Sequence, residues 1–145
     1  MNFPKTASDV KHEILLSSDK SKEFGDLRIR QLIHILSEVE PEVIVEGVVQ
    51  IFENGGRTDR YSQEQEFAGK ILETINPKSC KDLKEVLLRV LKNWDKSVEQ
   101  LPFWLRDNYG IGKLEETFAK LDLNEIEAGK LNTIRWWLHM NKTSA

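Results

Sequence analysis

Apolar residues recur along almost the whole chain at the spacing of one face of an α-helix, and this limits the fold to helix packed on helix. Leu32, Ile35, Leu36 and Val39 fall at i, i+3, i+4 and i+7. Ala68, Ile71, Leu72 and Ile75 repeat the pattern, and Leu83, Val86, Leu87, Val90, Leu91 and Trp94 extend it over three turns. Ile111, Leu114, Phe118 and Leu121 form a further stripe, and Leu131, Ile134, Trp137 and Leu138 the last. The stretch VIVEGVVQIF at 43–52 is rich in β-branched residues and could form a strand. Val45, Val48, Val49 and Phe52 nevertheless keep helical spacing, and no second convincing strand exists to pair with it. Gly47 inside a helix there costs roughly 1 kcal/mol relative to alanine, a cost that a close helix crossing would justify.

The expected fold class is all-α, with about eight helices near 8–17, 26–39, 41–54, 62–75, 78–94, 98–109, 112–121 and 124–140. Pro41 and Pro77 suit a first helical turn, where a missing N–H leaves no bond unmade. Ser62 with Gln65, Ser97 with Gln100, and Asn124 with Glu127 have capping-box spacing. Gly25, Gly55, Gly56, Gly110 and Gly112 punctuate the boundaries. Pro102 is tolerable only in the first turn of the sixth helix.

Leu36-Ser-Glu-Val-Glu-Pro41 and Leu72-Glu-Thr-Ile-Asn-Pro77 echo each other at an offset of 36 residues. Each joins an apolar helix, a tight proline turn and a second apolar helix. The period lies in the helical-repeat range. The arrangement resembles HEAT-like α-helical repeats over residues 26–94. That resemblance implies stacked antiparallel helical hairpins in an α-α superhelix, with a shared core. Residues 1–145 then form a single domain, made of an N-terminal helix and linker at 1–25, the two clearest hairpins at 26–94, and closing helices at 97–140. SVEQLPFWLRDNYG at 97–110 with TIRWWL at 133–138 is similar to the tail of small uncharacterised bacterial helical proteins. This brings an expectation of fold and none of chemistry.

Charge and composition narrow the function. With 39% apolar and 31% charged residues the chain is globular. Residues 1–72 carry net -4 and residues 73–145 net +1, within a total of -3. The pI of about 5.7 lacks the basic bias of a nucleic-acid-binding domain. The most basic stretch, Lys78 to Lys96, interleaves Asp82, Glu85 and Asp95. It reads as a solvated helix face with i,i+4 pairs, a phosphate-binding stripe being the alternative. No apolar run reaches the roughly 18 residues of a membrane span. The opening MNFPKTASDVKHE lacks a signal-like apolar region, so the expected compartment is the cytoplasm.

No catalytic or metal constellation emerges, and no cofactor is expected. His12, His34 and His139 form no HxxxH, HExxH or HxH pair. One cysteine excludes an intramolecular disulfide framework and a Cys-cluster zinc site. Cys80 reads as a small residue in a first helical turn, with a reactive thiol as the alternative. The Gly55-Gly56 pair lacks phosphate-loop spacing, and Gly110 with Gly112 follows no strand.

The expected function is a non-enzymatic protein-interaction module. Trp104, Arg106 and Tyr109 are residue types enriched at interface hot spots. Trp136 lies about 100° around its helix from Trp137, so the two cannot enter one crevice. Trp104 and Trp136 either pack on another helix, capping the stack, or lie exposed at a partner site. Arg57, Arg60 and Tyr61 in the loop GGRTDRY are a second candidate. A groove lined by 41–54 and 78–94 would present Glu46, Gln50 and Glu53 opposite Lys81, Lys84 and Lys92. A face so divided suits a protein partner better than a phosphate backbone. One variant is an immunity-type protein that masks a toxin, by analogy of fold alone. A weak nucleic-acid-binding repeat is the remaining alternative.

Overall fold

The computed structural model describes residues 3–54 and 61–140. These form an all-helical fold, with nine helices among the described residues: α1 (Ala7–Asp19), α2 (Ser21–Phe24), α3 (Leu27–Leu36), α4 (Pro41–Glu53), α5 (Tyr61–Ile75), α6 (Leu83–Val90), α7 (Gln100–Tyr109), α8 (Ile111–Phe118) and α9 (Glu125–Trp137). The β-branched stretch 43–52 is helical, within α4.

Local chemistry explains the boundaries. Thr6 and Asp9 form a reciprocal capping box at the start of α1, and Asn124 and Glu127 form another at α9. Pro41 occupies the first turn of α4. Gly110, with φ of 86°, ends α7 and opens α8 in a conformation that a Cβ would strain. Ser97 caps no helix: its hydroxyl turns to Asp95, and α7 begins three residues later. Pro102 falls in the first turn of α7, as its chemistry requires.

The helix expected at 78–94 is shorter than its apolar stripe. Asn76 adopts φ of 48° and donates its N–H to the Leu72 carbonyl, which closes α5. Pro77 follows, cannot continue the helix, and leads into an irregular segment. Helix α6 starts only at Leu83, where the Asp82 carboxylate accepts the Glu85 N–H at 3.3 Å. Pro41 and Pro77 thus occupy matching positions in sequence and different positions in structure.

Helices α1, α4 and α5 pack on one another and form the centre. Helix α3 lies against α1 and α5, α6 against α4, and α7 against α5, while α8 and α9 join through α7. Neither α3 with α4 nor α5 with α6 is a principal packing pair. Fully buried side chains run through one contiguous core, including Ile14, Leu32, Phe52, Ile71, Leu87 and Trp94. The segment between α6 and α7 is stitched in by polar groups. Gln65 donates to the Asn93 carbonyl at 2.8 Å and accepts the Asp95 N–H at 2.6 Å. Asn93 donates to the Glu53 carbonyl at 2.7 Å. These bonds satisfy backbone groups beyond the end of the short α6 and at the end of α4.

The α1–α4 crossing explains Gly47. A Cβ there would stand 2.7 Å from Val10 Cβ and 3.0 Å from the Ala7 carbonyl oxygen. Both obstacles are short and fixed to backbone, so the space cannot open without parting the helices. Gly69 differs, because one of its nearest atoms is the far end of the flexible Gln100 side chain, at 2.9 Å. Gly47→Ala is expected to lower stability by about 1 kcal/mol or more, because overpacking outweighs the gain in helix propensity. Adding Val10→Gly, which removes the Val10 Cβ and Cγ1 that the new methyl would meet, should recover part of that loss beyond additivity. Urea unfolding of the two singles and the double checks this, and a stabilised Gly47→Ala would show that the crossing is not tight.

Candidate functional site

Two surfaces carry the residues singled out by sequence. The first lies where α4 meets α6. Glu46, Gln50 and Glu53 are spaced along one side of α4, and Arg89 projects from α6 toward them. Arg89 engages Glu46 through both terminal nitrogens, at 2.7 and 2.8 Å, and Glu53 at 2.8 and 3.1 Å. Lys81 reaches the same Glu46 carboxylate at 2.8 Å, and Gln50 donates to it at 2.9 Å. The bidentate Arg89 pair, charge-assisted and largely screened from water, holds the Glu46 carboxyl far below the ordinary carboxylate range, despite a partial desolvation that opposes it. The Glu46 and Glu53 carboxylates in turn hold the Arg89 guanidinium more firmly protonated.

The acid-and-base face expected to greet a partner is therefore largely spent within the fold. Glu46, Gln50, Glu53 and Lys81 bind one another or Arg89. Lys84 and Lys92 remain at an open groove of about 600 Å³, beside the exposed Leu88 and Glu127. Sequence reasoning missed Arg89, which sits on the flank of the apolar stripe. Its signal was a basic residue at helical spacing from Glu85, which it also approaches at 3.8 Å.

The second surface is an aromatic strip along α7 and α9. Leu131, Ile134, Arg135 and Leu138 point inward from α9, with the Arg135 guanidinium 5.0 Å from the Phe118 ring. Trp136 is thereby turned outward and is 66% exposed. Its ring meets Trp137 edge-on at 4.8 Å, and Trp137 meets Phe103 edge-on at 6.3 Å. Trp137 is anchored by its indole N–H, which donates to the Lys96 carbonyl at 2.9 Å. The Arg106 guanidinium lies 5.2 Å from the Phe103 ring and 3.3 Å from the Asp107 carboxylate. The four side chains run as a continuous ridge, Trp136–Trp137–Phe103–Arg106.

Trp104 and Tyr109 stand behind that ridge. Trp104 is only 3% exposed, and its indole N–H donates to the Pro77 carbonyl at 2.9 Å. It meets Tyr109 edge-on at 6.2 Å. The Tyr109 hydroxyl lies 3.0 Å from both the Ser79 hydroxyl and the Lys81 carbonyl. Because the Lys81 carbonyl can only accept and the phenol carries one proton, Tyr109 donates to the carbonyl and Ser79 donates to Tyr109. Burial pushes the Tyr109 hydroxyl pKa up. Both residues hold the irregular 76–82 segment against α7. Trp136 and Arg106 are at the surface, and Trp104 is core. Arg57 and Arg60 lie outside the described residues, as does the side chain of Tyr61, whose backbone opens α5.

Beside the ridge, Gln100, Phe103, Trp104 and Asp107 present one face of α7 to the end of α5. With Leu72, Glu73 and Asn76 they enclose a cleft of about 150 Å³. His12, His34 and His139 are all exposed. Cys80 is a free, exposed thiol on the irregular segment and not in a helical turn, and its N–H donates to the Glu42 carboxylate. Among the described residues no group of three or more His, Cys, Asp or Glu could hold a metal ion. Within the same residues no helix is long and apolar enough to cross a membrane.

No protein-family model, curated protein or solved structure matches the chain.

The Glu46 network makes a pH prediction. A carboxyl whose folded pKa lies below its ordinary 4.5 contributes stability that is fully present above that value and lost as pH falls through the folded pKa. Glu46→Gln is expected to lower stability at neutral pH by about 2 kcal/mol, since charge-assisted bonds to Arg89 and Lys81 are lost. The gap between variant and wild type should narrow as pH drops below about 4. Urea unfolding at stepped pH checks this. A gap that stays constant across that range would show that the carboxylate is not the source.

Proposed function

We propose that this chain is a non-enzymatic protein-interaction module that engages its partner through the α7–α9 ridge. The observation that carries the reading is Trp136, two-thirds exposed and continuous with Trp137 and Phe103. Tryptophan and arginine dominate interface hot spots, because each buries a large surface while keeping a polar handle. An indole of this exposure contributes little to the core, and its nearest neighbours are anchored rather than loose. Trp137 is pinned by its bond to Lys96, and Phe103 by its place on α7. The ridge is thus pre-organised, which lowers the ordering cost of association.

Charge supports a protein partner over nucleic acid. The basic residues Lys81 and Arg89 are taken up by Glu46 and Glu53, so the stripe that phosphate binding would need is interrupted, with Lys84 and Lys92 left at the groove. The acidic excess of residues 1–72 favours a basic partner. An immunity-type protein covering a basic toxin surface is the sharper form of this reading. The reading requires a rigid helical scaffold and does not depend on a HEAT-like stack of hairpins.

Affinity capture from native lysate, with wild type and Trp136→Ala compared at low and physiological salt, tests the proposal. One stoichiometric protein should survive physiological salt with wild type. Its recovery should fall about 30-fold or more with Trp136→Ala, the scale of a hot-spot truncation. The variant should unfold within about 0.5 kcal/mol of wild type, because the lost surface faces water. Equal recovery with both proteins would remove the ridge from the interface. Nucleic acid recovered in place of protein would overturn the proposal.

A further inference from the structure

We infer that the cleft between the end of α5 and α7 receives a cationic side chain, an arginine or lysine, of the protein partner. This rests on the interaction reading above and adds the chemistry of what is bound. Four features converge on a cation. The cleft's charged lining residues are Glu73 and Asp107, and both are acidic. Its apolar walls include the rings of Phe103 and Trp104, and aromatic faces attract ammonium and guanidinium groups. The last turn of α5 ends here at Ile75, so the negative end of a 15-residue helix adds to the same field. Gln100 and Asn76 bring side-chain carbonyl oxygens; the Asn76 Oδ1 accepts the Asn108 amide at 3.3 Å and keeps a second lone pair for an N–H donor.

The space suits a side chain and not a larger ligand. A cavity of about 150 Å³ is of the size that takes one benzene-sized group, so a guanidinium or ammonium head fits. Phe103 belongs both to this cleft and to the exposed ridge, so a partner seated on Trp136 and Trp137 would bring its neighbouring residues to the cleft mouth. The Phe103 ring already accommodates the chain's own guanidinium from Arg106, at 5.2 Å. That residue does not line the cleft, and its pair with Asp107 is half exposed on both sides, hence weak. Glu73 forms no such pair with Arg106 and faces the cleft from the opposite helix.

Titration with doubly capped arginine, followed by NMR, tests the inference without the partner. The matched control is doubly capped citrulline, which keeps the shape and lacks the charge. The capped arginine should shift the Gln100 side-chain amide and the Trp104 indole N–H saturably, with a dissociation constant of roughly millimolar order for so small a ligand. Citrulline should bind at least about fivefold more weakly. Glu73→Gln and Asp107→Asn should each weaken arginine about threefold, and added salt should weaken it further. Silence at Gln100 and Trp104, an equal response to citrulline, or affinity unchanged in both variants would each overturn the inference. Trp136→Ala should leave this titration intact, so a failure here is distinct from a failure of the ridge.

Discussion

The close passage of α1 over α4 at Val10 and Gly47 sets the geometry on which the other helices settle. Two helices whose backbones approach this nearly leave a shallow trough on either side. Helix α5 packs on both, and its Ala68, Ile71 and Leu72 are buried. Ala68, like Gly47, is small where helices meet, which keeps the three axes close. With α5 so placed, α7 can lie along it. Gly69 has no side chain to hold Gln100 and Val98 away. The ridge and cleft are consequences of that docking: the α7 residues turned from the core are those that meet α9 and the end of α5.

The polar network between α4 and α6 belongs to the same logic. Helix α6 is only eight residues long, too short to be stable alone. Its apolar stripe buries Leu83, Val86, Leu87 and Val90, and Arg89 ties the flank to Glu46 and Glu53. Breaking one partner would leave a partly desolvated charge, so the network fixes the register of α6 on α4 more than it adds net stability. Lys130 does similar work from α9, donating to the Lys92 and Trp94 carbonyls just beyond α6. Burial there pushes the Lys130 pKa down, the sign of a cation drawn away from water to serve backbone acceptors.

Most of the helices were legible in the sequence, because periodicity reports burial and burial is what these helices are for. Gly47 was legible in kind: a glycine inside an apolar helix implied a close neighbour, though not that Val10 was the neighbour. The α6 boundary was not. The stripe from Leu83 to Trp94 is as regular as any other, and both its ends are apolar and buried. What delayed its start was Asn76 in a left-handed turn, Pro77 behind it, and the Asp82–Glu85 cap spacing, which competes with the more conspicuous proline; its end at Val90, short of Trp94, has no mark in the stripe. The acid-and-base face was legible only in part, for a related reason. Periodicity places a charge on the outer side of its own helix, but it is silent on the helix packed alongside. Arg89 thus ties that face together, while it and Glu53 still line the open groove. Trp104 and Trp136 are separable by spacing, although the sequence reading left both open. Trp104 shares the inward side of α7 with Leu101 and Leu105, whereas Trp136 lies on the side opposite its helix's stripe.

The helix stop at Asn76 also connects the two halves of the functional reading. Had α5 run on, its side chains would have filled the space that Phe103, Trp104 and Asp107 now face. Because it ends there, the Pro77 carbonyl is free to accept the Trp104 indole N–H, and Tyr109 reaches across to Ser79 and Lys81. These bonds lock the irregular segment against α7 and hold the cleft open at its floor. Its acidic lip remains at the surface, where Glu73 continues the solvent side of α5. A feature that ends a helix by purely local chemistry thereby creates a recess with aromatic walls and negative charge. The recess sits beside the one tryptophan among the described residues that the core leaves largely exposed. The adjacency of Trp136 and the cleft is thus a product of the packing order, α4 on α1, α5 on both, and α7 on α5.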